Sequence, residues 1–104
     1  MKITHVRVRK VNNESNVKAI AEVRLDDCFV IKEIRIRQKP DKMVVAMPSR
    51  MVTISDPENE GEVKKIHKDL AHPINQETRE MFNDAILGVY ERAPEDEDVY
   101  EEDL

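Results

Sequence analysis

Val17-Lys18-Ala19-Ile20-Ala21-Glu22-Val23-Arg24-Leu25 decides the fold of this chain. Val17, Ala19, Ala21, Val23 and Leu25 alternate with Lys18, Ile20, Glu22 and Arg24, a two-residue period that suits a strand with one face on a core. Upstream, across the turn cluster at 12–16 (NNESN), Ile3 to Val11 alternate as well, with Thr4, Val6 and Val8 on one face and His5, Arg7 and Arg9 on the other. The two segments therefore pair as a hairpin whose wet face is cationic. Downstream, Asp26-Asp27 turns the chain into a third strand, Phe29 to Arg37, in which Ile34 and Ile36 point opposite to Glu33, Arg35 and Arg37. After QKPDK comes a short apolar strand, MVVAM, which Pro48 ends because proline cannot donate to a ladder.

Farther along, MVTI (51–54) reads as a further short strand and SDPENEGE (55–62) as an exposed, mobile loop. VKKIHKDL (63–70) fits the returning strand of a wide hairpin. Beyond AHPI the period changes to three and four: Met81, Phe82, Ala85, Ile86, Val89 and Tyr90 mark a helix from about residue 76 to 92, with Asn75 as N-cap and Pro94 as stop. Gly88, inside that helix, points to close packing against another backbone. The predicted fold is α+β: an antiparallel meander of about five strands with a carboxyl-terminal amphipathic helix packed on it. The predicted domain covers residues 1–92, followed by a tail, residues 93–104, whose seven carboxylates and lack of any base predict disorder.

With 104 residues, 38% of them charged and no Trp, the chain suits one domain with an aliphatic core. No leader-like apolar segment and no bilayer-length run occurs, so cytoplasm without membrane insertion is the expected location. The single cysteine, Cys28, sits among apolar neighbours and reads as a buried inert thiol. Charge is divided: residues 1–54 hold twelve Lys/Arg against six Asp/Glu, and residues 55–104 hold five against sixteen.

Constellations that carry chemistry are missing from the sequence. His5, His67 and His72 are scattered, no metal-ligand spacing occurs, and two glycines cannot build a phosphate-cradling loop. No catalytic residue, metal or cofactor is predicted; His72, before Pro73, reads as a hydrogen-bonded anchor of the helix entry. A basic sheet face remains, made of Arg7, Arg9, Lys10, Lys18, Arg24, Arg35 and Arg37. Such a face either attracts phosphate through counterion release or is a solvated surface paired with Glu22, Glu33 and helix carboxylates.

The segments MKITHVRVRKV, KAIAEVRLDDCFVIKEIRI, VVAMPSR and DLAHPINQETRE, in that order, resemble the bacterial SpoVG family of stage V sporulation protein G and septation regulators. That resemblance implies a small α+β homodimer, a cytoplasmic, non-catalytic regulator that binds DNA and RNA. It also implies Arg50 of MPSR, with Lys64, Lys65 and Lys68 around the loop and helix entry, as nucleic-acid contacts; Ser49, leaving the core beside Arg50, and Arg7, Arg9, Arg35 and Arg37 of the basic face complete the candidate set. The alternative reading is an adaptor of septation-machinery proteins, recruiting its partner through the acidic tail or a sheet edge.

Overall fold

In the computed structural model, residues 1–12 and 15–104 are described; Asn13 and Glu14, within the predicted turn at 12–16, lie outside them. Strands β1 (Ile3–Lys10), β2 (Val17–Leu25), β3 (Phe29–Gln38) and β4 (Met43–Ala46) form the expected antiparallel meander. β5 (Ser49–Ser55) and β6 (Val63–Asp69) follow, then α1 (Gln76–Arg92) and β7 (Val99–Asp103). The main sheet has five strands in the order β4-β3-β2-β1-β7, and β5 and β6 form a separate two-stranded ribbon.

Two expectations are corrected here. The meander stops at four strands: Met51–Ile54 and the returning strand pair as the wide hairpin predicted, but in a ribbon that is not part of the sheet. Nor is the carboxyl-terminal tail a disordered extension: β7 pairs antiparallel with β1 from His5↔Asp103 to Arg9↔Val99. Backbone pairing with a waiting edge satisfies its polar groups, and that gain needs little apolar content.

One face of the sheet is dry. Val6, Val8, Ala21, Val23, Ile34 and Ile36 are buried there against Phe82, Ile86 and Val89 of α1, and Met47 closes the end. The alternation read from β2 is what the burial shows: Ala19, Ala21, Val23 and Leu25 are all buried. Asn75 caps the helix as predicted, its Oδ1 accepting from the Thr78 N–H at 2.7 Å. At Gly88 the expected backbone neighbour is absent; an added Cβ would stand 3.2 Å from the Arg92 guanidinium. The glycine leaves room for that side chain, whose Nε reaches Glu102 Oε2 on β7 at 2.8 Å.

Irregularities set the other face. A register shift at Thr4 falls between Ile3↔Leu25 and His5↔Arg24, and one on β3 leaves Lys32 and Glu33 opposite Glu22, with Glu33 at φ 61°. Asp26 (φ 52°) and Asp27 (φ 54°) make the turn before Cys28, whose thiol is exposed rather than buried as expected. The turn carries Cys28 past the end of the core before β3 begins.

The ribbon extends the molecule. Its closing contact is the Leu70 N–H donating to the Pro48 carbonyl at 2.7 Å, so Pro48 both ends the core segment and receives the returning strand. A radius of gyration of 15.7 Å exceeds the roughly 13 Å of a compact chain this long, as a projecting ribbon requires.

Candidate nucleic-acid interface

Register decides which cations meet. In the ribbon, Arg50 pairs with Lys68, Val52 with Ile66 and Ile54 with Lys64. Cross-strand partners share a face, so Arg50, Lys64 and Lys68 surround the half-buried Val52, Ile54 and Ile66 with no carboxylate among them. Ser49 and Lys65 lie on the opposite face with Met51, Thr53, His67 and Asp69. Ser49 Oγ is 3.5 Å from His67 Nδ1. The predicted five-residue group thus divides into three residues that converge and two that do not.

The loop between the two strands is internally bonded as well as exposed. Asp56 Oδ1 accepts from the Glu58 N–H at 2.9 Å, and Asp56 N–H donates to the Glu62 carbonyl at 3.0 Å. The Glu58 N–H, and then Asn59, hold the Asp56 carboxyl below its ordinary range. At its far end Gly61 adopts φ 84°, a conformation that favours glycine.

The outer face of the five-stranded sheet is the second cationic surface. Arg9, Ile20 and Arg35 form one row across β1, β2 and β3, with Arg7 and Glu22 in the adjacent row. Lys18 and Arg24 alternate on the same side of β2. Arg37 follows Arg35 on that face and donates to Asn16 Oδ1 at 3.2 Å. Lys10 departs from the predicted set: it pairs with buried Ala19, and its ammonium donates to the Pro94 carbonyl.

Part of this face is neutralised. Arg7 lies 3.4 Å from Glu22 and 3.5 Å from Glu101. The first pair was anticipated, but the helix carboxylates expected to join it are on the wrong side of the sheet, and β7 supplies the second acid. His5, expected on the wet face, is buried at 6% exposure because β7 covers it. Its Nδ1 donates to Asp103 Oδ1 at 2.7 Å, while Glu101 Oε1 sits 3.4 Å from Nε2 without the alignment of a hydrogen bond.

β7 is held from its other face. Arg92, which bonds the Glu102 carboxylate, chiefly keeps it below the ordinary 4.5, helped by the Tyr100 hydroxyl and against an opposing desolvation. Desolvation, helped by Glu102, raises the Tyr100 phenol. A carboxylate lowered on folding contributes stability above its unfolded value and loses it as pH falls through the folded one. Acidification below 4.5 is therefore expected to loosen β7, read as faster amide exchange at Tyr100. Glu102→Gln should abolish that pH dependence; an unchanged profile would refute the assignment.

Elsewhere, His72 Nδ1 donates to the Pro73 carbonyl at 2.9 Å, as its anchoring role requires. No helix is long and apolar enough to cross a membrane among the described residues, and none of their His, Cys, Asp and Glu side chains cluster to hold a metal ion.

The acids of β7 and the bulged Lys32 are the residues of this surface that sequence reasoning missed. Val99 and Tyr100 are followed by Glu101, Glu102 and Asp103 with no apolar alternation, so the strand does not stand out of an acidic run.

Comparison with known proteins places the same residues in a family. The SpoVG profile matches residues 1–92. "Putative septation protein SpoVG" of Caldicellulosiruptor bescii is 45% identical over 91 residues, covering 88% of this chain and 92% of the relative. The protein of that name from Thermoanaerobacter sp. (strain X514) is 42% identical over 102 residues, covering 98% of this chain and all of the relative. Its counterpart in Phytoplasma australiense is 40% identical over 91 residues, 88% of this chain and 84% of its own length. With a profile match across the sheet and helix and this identity over most of its length, the chain belongs to the SpoVG family.

Proposed function

We propose that this chain is a non-catalytic, nucleic-acid-binding regulator of septation or sporulation that grips phosphate with the β5–β6 ribbon. One observation carries the reading: Arg50, Lys64 and Lys68 stand on one ribbon face without a carboxylate among them. A two-stranded ribbon fits the major groove of duplex DNA, and lysine and arginine on it would displace counterions from the backbone. Septation enters through the names of the relatives, which cover most of the chain.

The sheet face with Arg7, Arg9, Arg35 and Arg37 serves in this reading as a second, weaker contact. A homodimer would present two ribbons to one duplex, and Phe29, Met51, Leu70 and Ile74 are exposed apolar side chains available for its interface. The cytoplasm is where such a regulator meets DNA and RNA.

Mobility-shift titration of the full chain against duplex DNA and an RNA hairpin, at several salt concentrations, is the test. Binding that weakens steeply with salt is expected. Absence of binding to either at low salt sinks the reading. Capture of a septation protein under those conditions would then favour the adaptor alternative.

A further inference from the structure

The two faces of β7 are chemically distinct. Tyr100 and Glu102 point to the helix side, where Tyr100 packs on the core and Glu102 is bonded by Arg92. Val99, Glu101 and Asp103 point to the outer side, in register with Arg9, Arg7 and His5. Both faces hold the strand, since on the outer side His5 donates to Asp103 at 2.7 Å. That side also places Glu101 next to Arg7, which lines a cleft of about 120 Å³ with Arg9, Ile20, Glu22, Lys32 and Glu33.

Of the two outer acids only Asp103 is hydrogen-bonded; Glu101 stands near Arg7 and His5 without a hydrogen bond to either. An edge strand there needs backbone pairing with β1, which extends through the Lys10 N–H to the Asp98 carbonyl and the Leu104 N–H to the Thr4 carbonyl. Yet Glu101 sits 3.5 Å from Arg7, in the position that a phosphate oxygen would take on that guanidinium. Arg9, one row away, has no ion pair among the described residues.

We infer that the outer face of the sheet is a polyphosphate-binding surface and that β7 is its built-in competitor, with Glu101 standing in for a backbone phosphate at Arg7. The inference rests on the proposed nucleic-acid binding and adds to its second, weaker contact an affinity that the chain itself holds down. A longer nucleic acid that engages the ribbon would have to displace that carboxylate, though not the strand, to reach Arg7. Intramolecular acids at such an edge act at high effective concentration, so they discriminate against weak or short polyanions.

Neutralising the outer face of β7 isolates the effect, since Asp103→Asn keeps an amide oxygen to accept from His5 and the Arg92–Glu102 bond is left intact. The full chain carrying Glu101→Gln and Asp103→Asn is compared with the wild type, using a short labelled duplex and an RNA hairpin as probes. A second variant, Asp96→Asn with Glu97→Gln, removes the same charge from the loop before β7. Expected is about tenfold tighter binding for the β7 variant, with a salt slope steeper by about one phosphate contact, and a change below about twofold for the loop variant.

Adding Arg7→Ala to the β7 variant should erase the gain, which a merely loosened strand would not show. Amide exchange at Tyr100 checks that β7 stays docked. Equal tightening in both variants would reduce the effect to net charge and overturn the inference. So would a wild type that binds and a β7 variant that binds no better, an outcome that leaves the ribbon reading intact. Failure of every protein to bind overturns both.

Discussion

Reversing Arg50, Lys64 and Lys68 to glutamate together is expected to weaken binding to duplex DNA by on the order of a hundredfold or more at low salt. Each substitution removes a phosphate contact and replaces it with a repelling charge on the same ribbon face, and the salt slope should fall by about three contacts. Lys65→Glu supplies the contrast. Its side chain leaves the opposite face, in register with Thr53, so roughly threefold weakening is expected from net charge alone. Because Arg50 and the three lysines are exposed and outside the core, melting curves of both variants should overlay the wild type. Equal losses from Lys65→Glu and from the triple reversal would show that position on the ribbon does not matter, and the proposed interface would fail.

Replacing Ile34 by alanine is expected to cost about 3 kcal/mol, the usual penalty for emptying a fully buried aliphatic site. Ile34 has no exposed surface; it pairs with Ala21 and belongs to the cluster that includes Phe82, Ile86 and Val89. Against typical domain stabilities of about 5–15 kcal/mol, this loss should lower the melting temperature by roughly 15 °C. Ile54→Ala tests the other half of the architecture, since Ile54 is only half-buried on the ribbon, and a loss below about 1 kcal/mol is expected there. Comparable destabilisation by the two substitutions would mean that the ribbon is part of the cooperative core.

These contrasts also separate what was legible in the sequence from what was not. Strand β2 declared its two faces because every second residue from Ala19 to Leu25 is apolar, and the helix declared itself through its change of period and Asn75. Lysines 64, 65 and 68 were visible as a cluster, but only the Arg50↔Lys68 register sends Lys65 to the other side. His5 and Cys28 were assigned the wrong exposure for different reasons. Alternation reports which face a residue occupies, whereas burial also depends on what covers that face, and the cover over His5 is β7; Cys28 has apolar neighbours in sequence but lies in a turn beyond the core. Strand β7 was unreadable because its stability comes from backbone pairing and from Arg92 and Tyr100 gathered on Glu102, none of which leaves a periodic apolar trace.

The bond between His5 and Asp103 joins positions 98 apart in the chain. β1 precedes every other strand of the sheet in the chain, and its second neighbour, β7, follows all of them. Until β7 has been made, that edge presents unpaired amides and carbonyls to whatever strand comes near, including another nascent copy. Completion of the sheet thus waits for the segment that follows the helix. A chain cut short after the helix would carry the whole family-matched region with an open border where β7 belongs.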